Sequence, residues 1–482
     1  MSLSASLSTA LTGLAATSKR AETVSSNVAN ASTPGYGRRV VELAGLVIGG
    51  QGAGVTVIDV RRETDRVLIG DRRLADAGLG AASTEAAGLS RIEESIGIPD
   101  KPGALGDRIN ALDAALISAA SLPESEVRHA GVLDAARGLA GKLNQISGTV
   151  QTVRMAADAA IAQDVGLLND SLQRIETLNR QIVRIEATTG DTNALQDQRQ
   201  AAIDSIAAIV PLRQVDRQDG QVSLFTPGGA VLLDGSAREV GFSPTPLITS
   251  QMTLASGALS GLQIDGRPVS LGERGPISGG RLAANFALRD EQAPAVQAQI
   301  DGLARDLVDR FQAADITLPP GAPGLFTDAG APFDPLNESG LAARLSVNPL
   351  ADPAQGGSLY RLRDGLGALV PGFAGDATGL QALSDALTNA GVPASAALSG
   401  VARSSSGLAA DILSGIARAR VSADAEEGFV AARHDALRSR ELEGGVDTDA
   451  EMASLLRVEQ AFAANARVVQ AVDEMLQTLL RR

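Results

Sequence analysis

LSASLSTALTGLAATSKRAETVSSNVANASTPGY, from Leu3 to Tyr36, decides how the chain is read. Leu3, Leu7, Ala10, Leu14, Thr17, Ala21, Val24 and Val28 recur at alternating steps of three and four. That is a heptad seam, the spacing with which one helix buries a narrow stripe against another. The helix must stop by Pro34-Gly35, because proline disfavours helix in the residue before it and glycine suits a turn. The far end carries the same signal: Leu455, Val458, Phe462, Asn465, Val469, Val472, Leu476 and Leu479 form a second seam. A chain with a sticky helix at each end is most simply a subunit that joins its termini and stacks them on neighbours.

Between these ends the pattern changes several times. Arg39–Leu43 and Gly54–Val60 alternate and are rich in β-branched residues, so they read as extended. From Thr64 to about Val210 the periodicity is helical, most clearly in Leu168, Leu172, Ile175, Leu178, Ile182 and Ile185. After Pro211, short strands at 221–225, 230–233, 239–242 and 262–269 are separated by Gly-containing turns. Helix is expected again from Leu282 to about Ala314 and from Gly407 to Leu442, with a Pro- and Gly-rich stretch between.

The expected fold is therefore mainly α with β inserts. The terminal coiled-coil helices pair, a long helical bundle follows, and small β-rich inserts lie distal to the termini. The segments are 1–36, an N-terminal axial helix and loop; 37–211, a helical bundle with short strands at its start; 212–281, a β-rich insert; 282–315, a returning bundle helix; 316–400, a loop-rich insert; 401–445, a second returning helix; and 446–482, the C-terminal axial helix that pairs with the first.

Composition narrows the function. A length of 482 residues with 44% hydrophobic residues permits real cores, and 2% aromatics makes those cores aliphatic. The net charge of -14 and the lack of a basic run argue against nucleic acid. No stretch is long and apolar enough to span a membrane, and the opening residues lack a secretory pattern. With no cysteine there is no thiolate chemistry. His129 and His434 show no metal-ligand spacing and are expected to be solvated helix residues. Gly49–Gly54 does not fit a nucleotide-binding loop and reads as a bend between strands. Glu93-Glu94 and Glu426-Glu427 are expected at exposed helix positions. No catalytic, cofactor or metal residue is assigned.

Ser26-Asn-Val-Ala-Asn-Ala-Ser-Thr-Pro-Gly-Tyr36 resembles the N-terminal signature of the bacterial flagellar rod, hook and hook-associated proteins. Met452–Leu476 resembles the C-terminal signature of the same group. Asn193–Arg199, Gly279–Leu282, Asn285–Asp290 and Val347–Pro349 also resemble its hook-associated members, and the long helical stretch disfavours the alternative, a hook or distal rod protein. The departures are mild: Gly37 precedes Arg38 where a Ser or Thr is usual, and Val458-Glu459 replaces a Tyr/Gln-type pair.

The resemblance implies a non-enzymatic structural subunit at the junction of hook and filament, needed for filament assembly and motility. It implies export by the flagellar type III apparatus after a transient cytoplasmic stay, and a final place outside the cell. Implied partners are further copies in a ring, the hook protein on the proximal side, a second junction protein on the distal side, and an export chaperone at the C-terminal helix; no cofactor is implied. The assembly interface is then Leu3, Leu7, Leu14, Val24, Val28, Leu455, Val458, Phe462, Val469, Val472, Leu476 and Leu479, with Asn27, Asn30, Pro34, Gly35 and Tyr36 as the signature loop. A lone heptad helix is marginal in water, so both ends are expected to be disordered until they pair in the polymer.

Overall fold

The two ends of the chain lie side by side. In a computed structural model describing residues 3–48, 51–98, 101–188, 190–272 and 274–480, helix α1 (Leu3–Asn30) packs along helix α12 (Thr448–Leu480). Gly49, Gly50 and the outermost residues of both terminal segments lie outside the described residues. A hairpin, β1 (Arg38–Ile48) and β2 (Gln51–Glu63), follows α1 and packs on it. It is longer than the two extended runs suggest and pairs antiparallel with two register shifts.

Asp65 then caps α2 (Arg66–Ile96), its carboxylate accepting from the Val67 and Leu68 amides at 3.0 Å. Next come α3 (Leu105–Ser121), α4 (Glu126–Glu186) and α5 (Asn193–Ala207). At 61 residues α4 is the mast of the molecule, roughly 90 Å long at 1.5 Å per residue. Its stripe from Val132 through Ile182 is buried throughout.

The β insert is built from β3 (Arg213–Asp216), β4 (Val222–Phe225), β5 (Val231–Asp234) and β6 (Ser236–Ala237) in one antiparallel sheet. A second sheet holds β7 (Val240–Gly241), β8 (Gln263–Ile264) and β9 (Arg267–Pro268). Asp265 and Gly266 both take positive φ in the β8–β9 turn, the geometry that suits the right-handed strand twist.

Helices α6 (Gly280–Ala287) and α7 (Ala293–Ala314) are joined by a π-turn, Leu288–Gln292, where helical periodicity alone suggests one unbroken helix. The π-turn carries Arg289, fully buried, its guanidinium bonded to Asp158 at 2.6 Å and Asp290 at 2.8 Å. Phe286 and Phe242 lie under it, with ring centroids 4.8 and 5.6 Å from the guanidinium carbon. Burial alone would lower the Arg289 pKa, but the two carboxylates outweigh it and hold the cation charged.

The 316–400 stretch is more regular than its proline and glycine suggest. It holds β10 (Phe326–Asp328) paired with β11 (Leu345–Val347), the short helices α8 (Leu341–Arg344) and α9 (Arg361–Asp364), and α10 (Thr378–Thr388). Leu325, Phe326, Leu345 and Leu380 share one core with α3, α4 and α7. Asn348 sits between two chain segments, donating to the Gly324 carbonyl at 3.0 Å and accepting from the Leu350 amide. A second core joins the distal half of α4 to α5, α6 and the β insert.

Finally α11 (Ser405–Glu443) runs back along α2. Ala423 packs on Ala86 and Leu89, while His434 reaches Asp76 and Glu441 reaches Arg72, so the two helices are antiparallel. Arg420 pairs with Glu93, which is therefore half-buried rather than exposed. Glu427 is half-buried as well, while Glu94 and Glu426 are exposed as expected.

Two glycine and histidine positions lead to predictions. Gly280 has φ +75, and a Cβ there would stand 2.2 Å from the Ile209 carbonyl oxygen. Replacing it with Ala is expected to cost at least about 1–3 kcal/mol from backbone strain alone. Chemical denaturation would measure this, and an unchanged midpoint would refute the close approach.

His129 corrects the expectation of a solvated residue: it is 2% exposed, and neither ring nitrogen makes a hydrogen bond. The reason is packing, since the first turns of α4 lie against α9 and its Arg363. Burial, then the Arg363 charge, pushes the His129 pKa down. The unfolded chain thus binds a proton that the folded chain refuses, so stability is full above the unfolded value of about 6.5 and falls as pH drops below it. Between pH 7.5 and 5.5 the native protein should lose more stability than His129→Leu does. Equal losses would show that His129 does not carry the effect.

Candidate assembly interface

The terminal pair is antiparallel. Gly13 stands against Asn465, and Thr17 to Val24 share a cavity of about 300 Å³ with Glu451 to Ala461 and the start of β1. A Cβ at Gly13 would meet the Asn465 amide at 2.9 Å, so the helices approach closely where the side chain is smallest. On α1, Ala10, Thr17 and Val24 are buried, and on α12 so are Val458 and Val472. Leu3, Leu7, Leu14, Val28, Leu455, Val469 and Leu476 are half-buried along the seam.

Phe462 and Leu479 are not covered: they are 47% and 61% exposed. A single partner helix covers only a narrow stripe, and α12 is apolar over a wider arc than α1 can shield. Met452, Leu456, Val468 and Met475 widen that uncovered surface further. Within one chain, then, the ends already pair, and the large apolar side chains of α12 remain outside the pair. The expectation that the ends stay unpaired until polymerisation overlooks that both already lie at the same pole.

The signature loop is organised by Asn27, which is 1% exposed. Its amide donates to the Arg39 carbonyl, and its oxygen accepts from the Arg39 amide and the Tyr36 hydroxyl, all at 2.9 Å. One side chain thus folds the chain back on itself and positions the first residues of β1. Asn30 donates to the Ser26 carbonyl and accepts from Thr33. Arg39 lies over the Tyr36 ring at 5.1 Å. Pro34 is exposed, and Gly35 takes φ +79 against α5, where a Cβ would meet the Asp197 carbonyl oxygen at 3.0 Å. Gly35→Val is expected to unseat the loop from α5, because no β-branched side chain fits there at positive φ. Amide hydrogen exchange would show faster exchange at 35–40, and unchanged protection would refute this.

Asp197 holds the loop to the bundle. It accepts from the Gly37 amide at 3.0 Å and pairs with Arg62 at 2.6 Å and Arg39 at 3.1 Å. Burial lowers the Arg62 pKa even with Asp197 beside it. Four residues earlier, Asn193 donates to the Val60 carbonyl at 2.6 Å. Two residues later, Arg199 donates to Asn179 at 2.8 Å and to the Gly220 carbonyl at 2.7 Å. The segment 193–199 therefore ties loop, hairpin, α4 and β insert together. At the other side Glu451, 2% exposed in the first turn of α12, pairs with Arg38 of β1 at 2.8 Å. Burial would lower the Arg38 pKa, but Glu451 and then Glu63 outweigh it and raise it.

None of Asp197, Arg38, Arg39, Arg62 or Glu451 stands out by spacing. The resemblance of Asn193–Arg199 was the available signal, but it carried no partner. No group of three or more metal-ligating side chains occurs among the described residues, and no helix there is long and apolar enough to cross a membrane.

Helices thus pair at the two termini, with a clasped loop after the first. The match to family models has the same layout: residues 7–36 match "flagella basal body rod protein" and 443–482 match "flagellar basal body rod FlgEFG protein C-terminal". Residues 89–317 match "flagellar hook-associated protein FlgK helical domain". By these matches the chain resembles the flagellar hook-associated protein 1 family, which is structural and not enzymatic.

Flagellar hook-associated protein 1 of Bacillus subtilis is 24% identical over 98% of this chain and 97% of its own length. The proteins of the same name from Salmonella typhimurium and Escherichia coli are 28% and 25% identical over 52% and 57% of this chain. Those two matches span about half of the relatives' length, 47% and 52%. The solved flagellar hook junction protein FlgK from Burkholderia pseudomallei aligns over 54% of this chain and 47% of its own, at 18% identity and a TM-score of 0.44.

Proposed function

We propose that this chain is a structural subunit of the flagellar hook–filament junction, required for filament assembly and motility. The supporting observation is the antiparallel α1–α12 pair, whose uncovered apolar face, Leu456, Phe462, Val468 and Leu479, lies on a chain that resembles this family. An apolar stripe of that extent on a soluble chain marks an interaction surface. Neighbouring copies in a ring, the hook protein below and a second junction protein above are the partners in this reading. Before export by the flagellar type III apparatus, a chaperone covers the same α12 stripe, so chaperone binding and assembly exclude each other. The segments 1–36 and 446–482 form the axial layer, and the bundle and inserts project from it.

Deleting the gene and imaging the cells tests the reading. Hooks of normal length without filaments are expected, with full-length protein restoring filaments and a chain lacking 455–479 failing to. Normal filaments in the deletion strain would overturn it.

A further inference from the structure

A cleft of about 410 Å³ opens between the start of α2, α5 and β3. Five arginines line it, Arg62, Arg66, Arg73, Arg199 and Arg213, against two carboxylates, Asp71 and Asp216, in a chain whose net charge is -14. The carboxylates behind the cleft do not cancel this excess, because each serves two cations. Asp197 pairs with Arg62 and Arg39, and Asp204 with Arg73 and Arg72.

Arg199 is the unusual member. It is 8% exposed, and its Nη1 donates to the Asn179 side-chain oxygen and the Gly220 carbonyl. Its Nε and Nη2 have no hydrogen-bond partner, and no carboxylate pairs with it, among the described residues. Burial pushes its pKa down to about 10, and the charges of Arg62 and Arg66 add to that push against the pull of Asp216. Arg66 presses on Arg62 in the same way, so the three guanidinium groups repel one another. A bound anion would relieve that repulsion and meet the unpartnered N–H groups of Arg199. At the mouth, exposed Arg66 reaches Asp216, and exposed Arg213 has no ion-pair partner among the described residues. An exposed ion pair contributes little, so Arg66 can leave Asp216 for a better ligand.

The walls are not wholly polar. Val67 is 75% exposed and Val215 41%, and both line the cleft beside the arginines. A bare inorganic anion would leave that apolar surface wet. A carboxylate carried beside aliphatic side chains would cover it, and the guanidinium fork matches a carboxylate in two-pronged geometry.

We propose that this cleft binds an acidic peptide segment of a partner protein, with its carboxylates on Arg199, Arg66 and Arg213 and its aliphatic side chains on Val67 and Val215. Asp197 and Asp204 hold Arg62 and Arg73 in place behind these contacts. A local positive cleft on an acidic chain also chooses among partners, since charge complementarity governs specificity more than affinity.

The test titrates the purified full chain in a calorimeter with a capped hexapeptide of alternating leucine and aspartate. The peptide should bind, and diphosphate should bind more weakly. Arg66→Gln with Arg213→Gln should weaken peptide binding about tenfold. Arg174→Gln with Arg433→Gln removes two exposed arginines elsewhere, gives the same net charge and should leave binding unchanged. All four positions are exposed, so both double variants should keep the wild-type melting curve. Absence of peptide binding overturns the proposal. So does binding that the Arg66 and Arg213 changes leave intact, or that both double variants weaken equally. Diphosphate binding as tight as the peptide's would overturn it too, and would make the cleft a site for free oxyanions.

Discussion

Arg289→Met will destabilise the protein by about 3–5 kcal/mol, among the largest effects available to a single side chain here. The guanidinium is fully buried and answers Asp158, itself 1% exposed, as well as Asp290 and the Ser260 carbonyl. Methionine would fill most of the space but leave Asp158 charged inside the core, with the Thr245 amide as its remaining donor. The loss arises from stranding that carboxylate, not from the intrinsic strength of the pair. Restoring balance with Asp158→Asn in the same chain should recover much of it. Urea unfolding midpoints of the single and double variants decide the matter: a single-variant loss under about 1 kcal/mol, or no recovery in the double, would show that the pair is not what holds the π-turn.

Phe462→Asp should abolish filaments while leaving the melting of the isolated subunit almost unchanged. Phe462 is 47% exposed in the single chain, so a charge there meets water. In an assembled layer the same charge would have to be buried without a partner, which is costly. Val472→Asp provides the contrast: at 3% exposure it faces α1, and it should loosen the terminal pair in the monomer too. Arg467, off the seam and exposed, should tolerate replacement. Calorimetry of the subunit together with electron microscopy of cells separates these outcomes. Normal filaments with Phe462→Asp would mean that the uncovered stripe of α12 is not an assembly surface.

The terminal helices were legible in the sequence because heptad spacing is a local signal, read without knowing the partner. The helical bundle was legible for the same reason, and the mainly α fold with β inserts followed from it. Spacing could not reveal which seam residues a neighbour within the chain would cover, and Phe462 shows this: its place in the heptad is right, yet one helix cannot reach it. The π-turn at Leu288–Gln292 was hidden because only Leu288 of its five residues is apolar, so it carries no periodicity to read. His129 was misjudged because its burial comes from α9, more than two hundred residues later. The clasp at Asp197 was beyond reach for a related reason: its partners Gly37, Arg39 and Arg62 are over a hundred residues earlier. Non-local ion pairs leave no periodicity.

The antiparallel closure of α1 on α12 also acts on the clock of synthesis. Its two strips lie far apart in the chain, so α1 waits for α12 to be made before α12 can cover it. A chain that stops before Thr448 leaves open the side of α1 that α12 covers, and also leaves Arg38 without Glu451. Every such fragment advertises its own incompleteness as open apolar surface, the feature by which chaperones and proteases sort damaged chains. Pairing α1 with α12 therefore doubles as a check that translation has passed through α12.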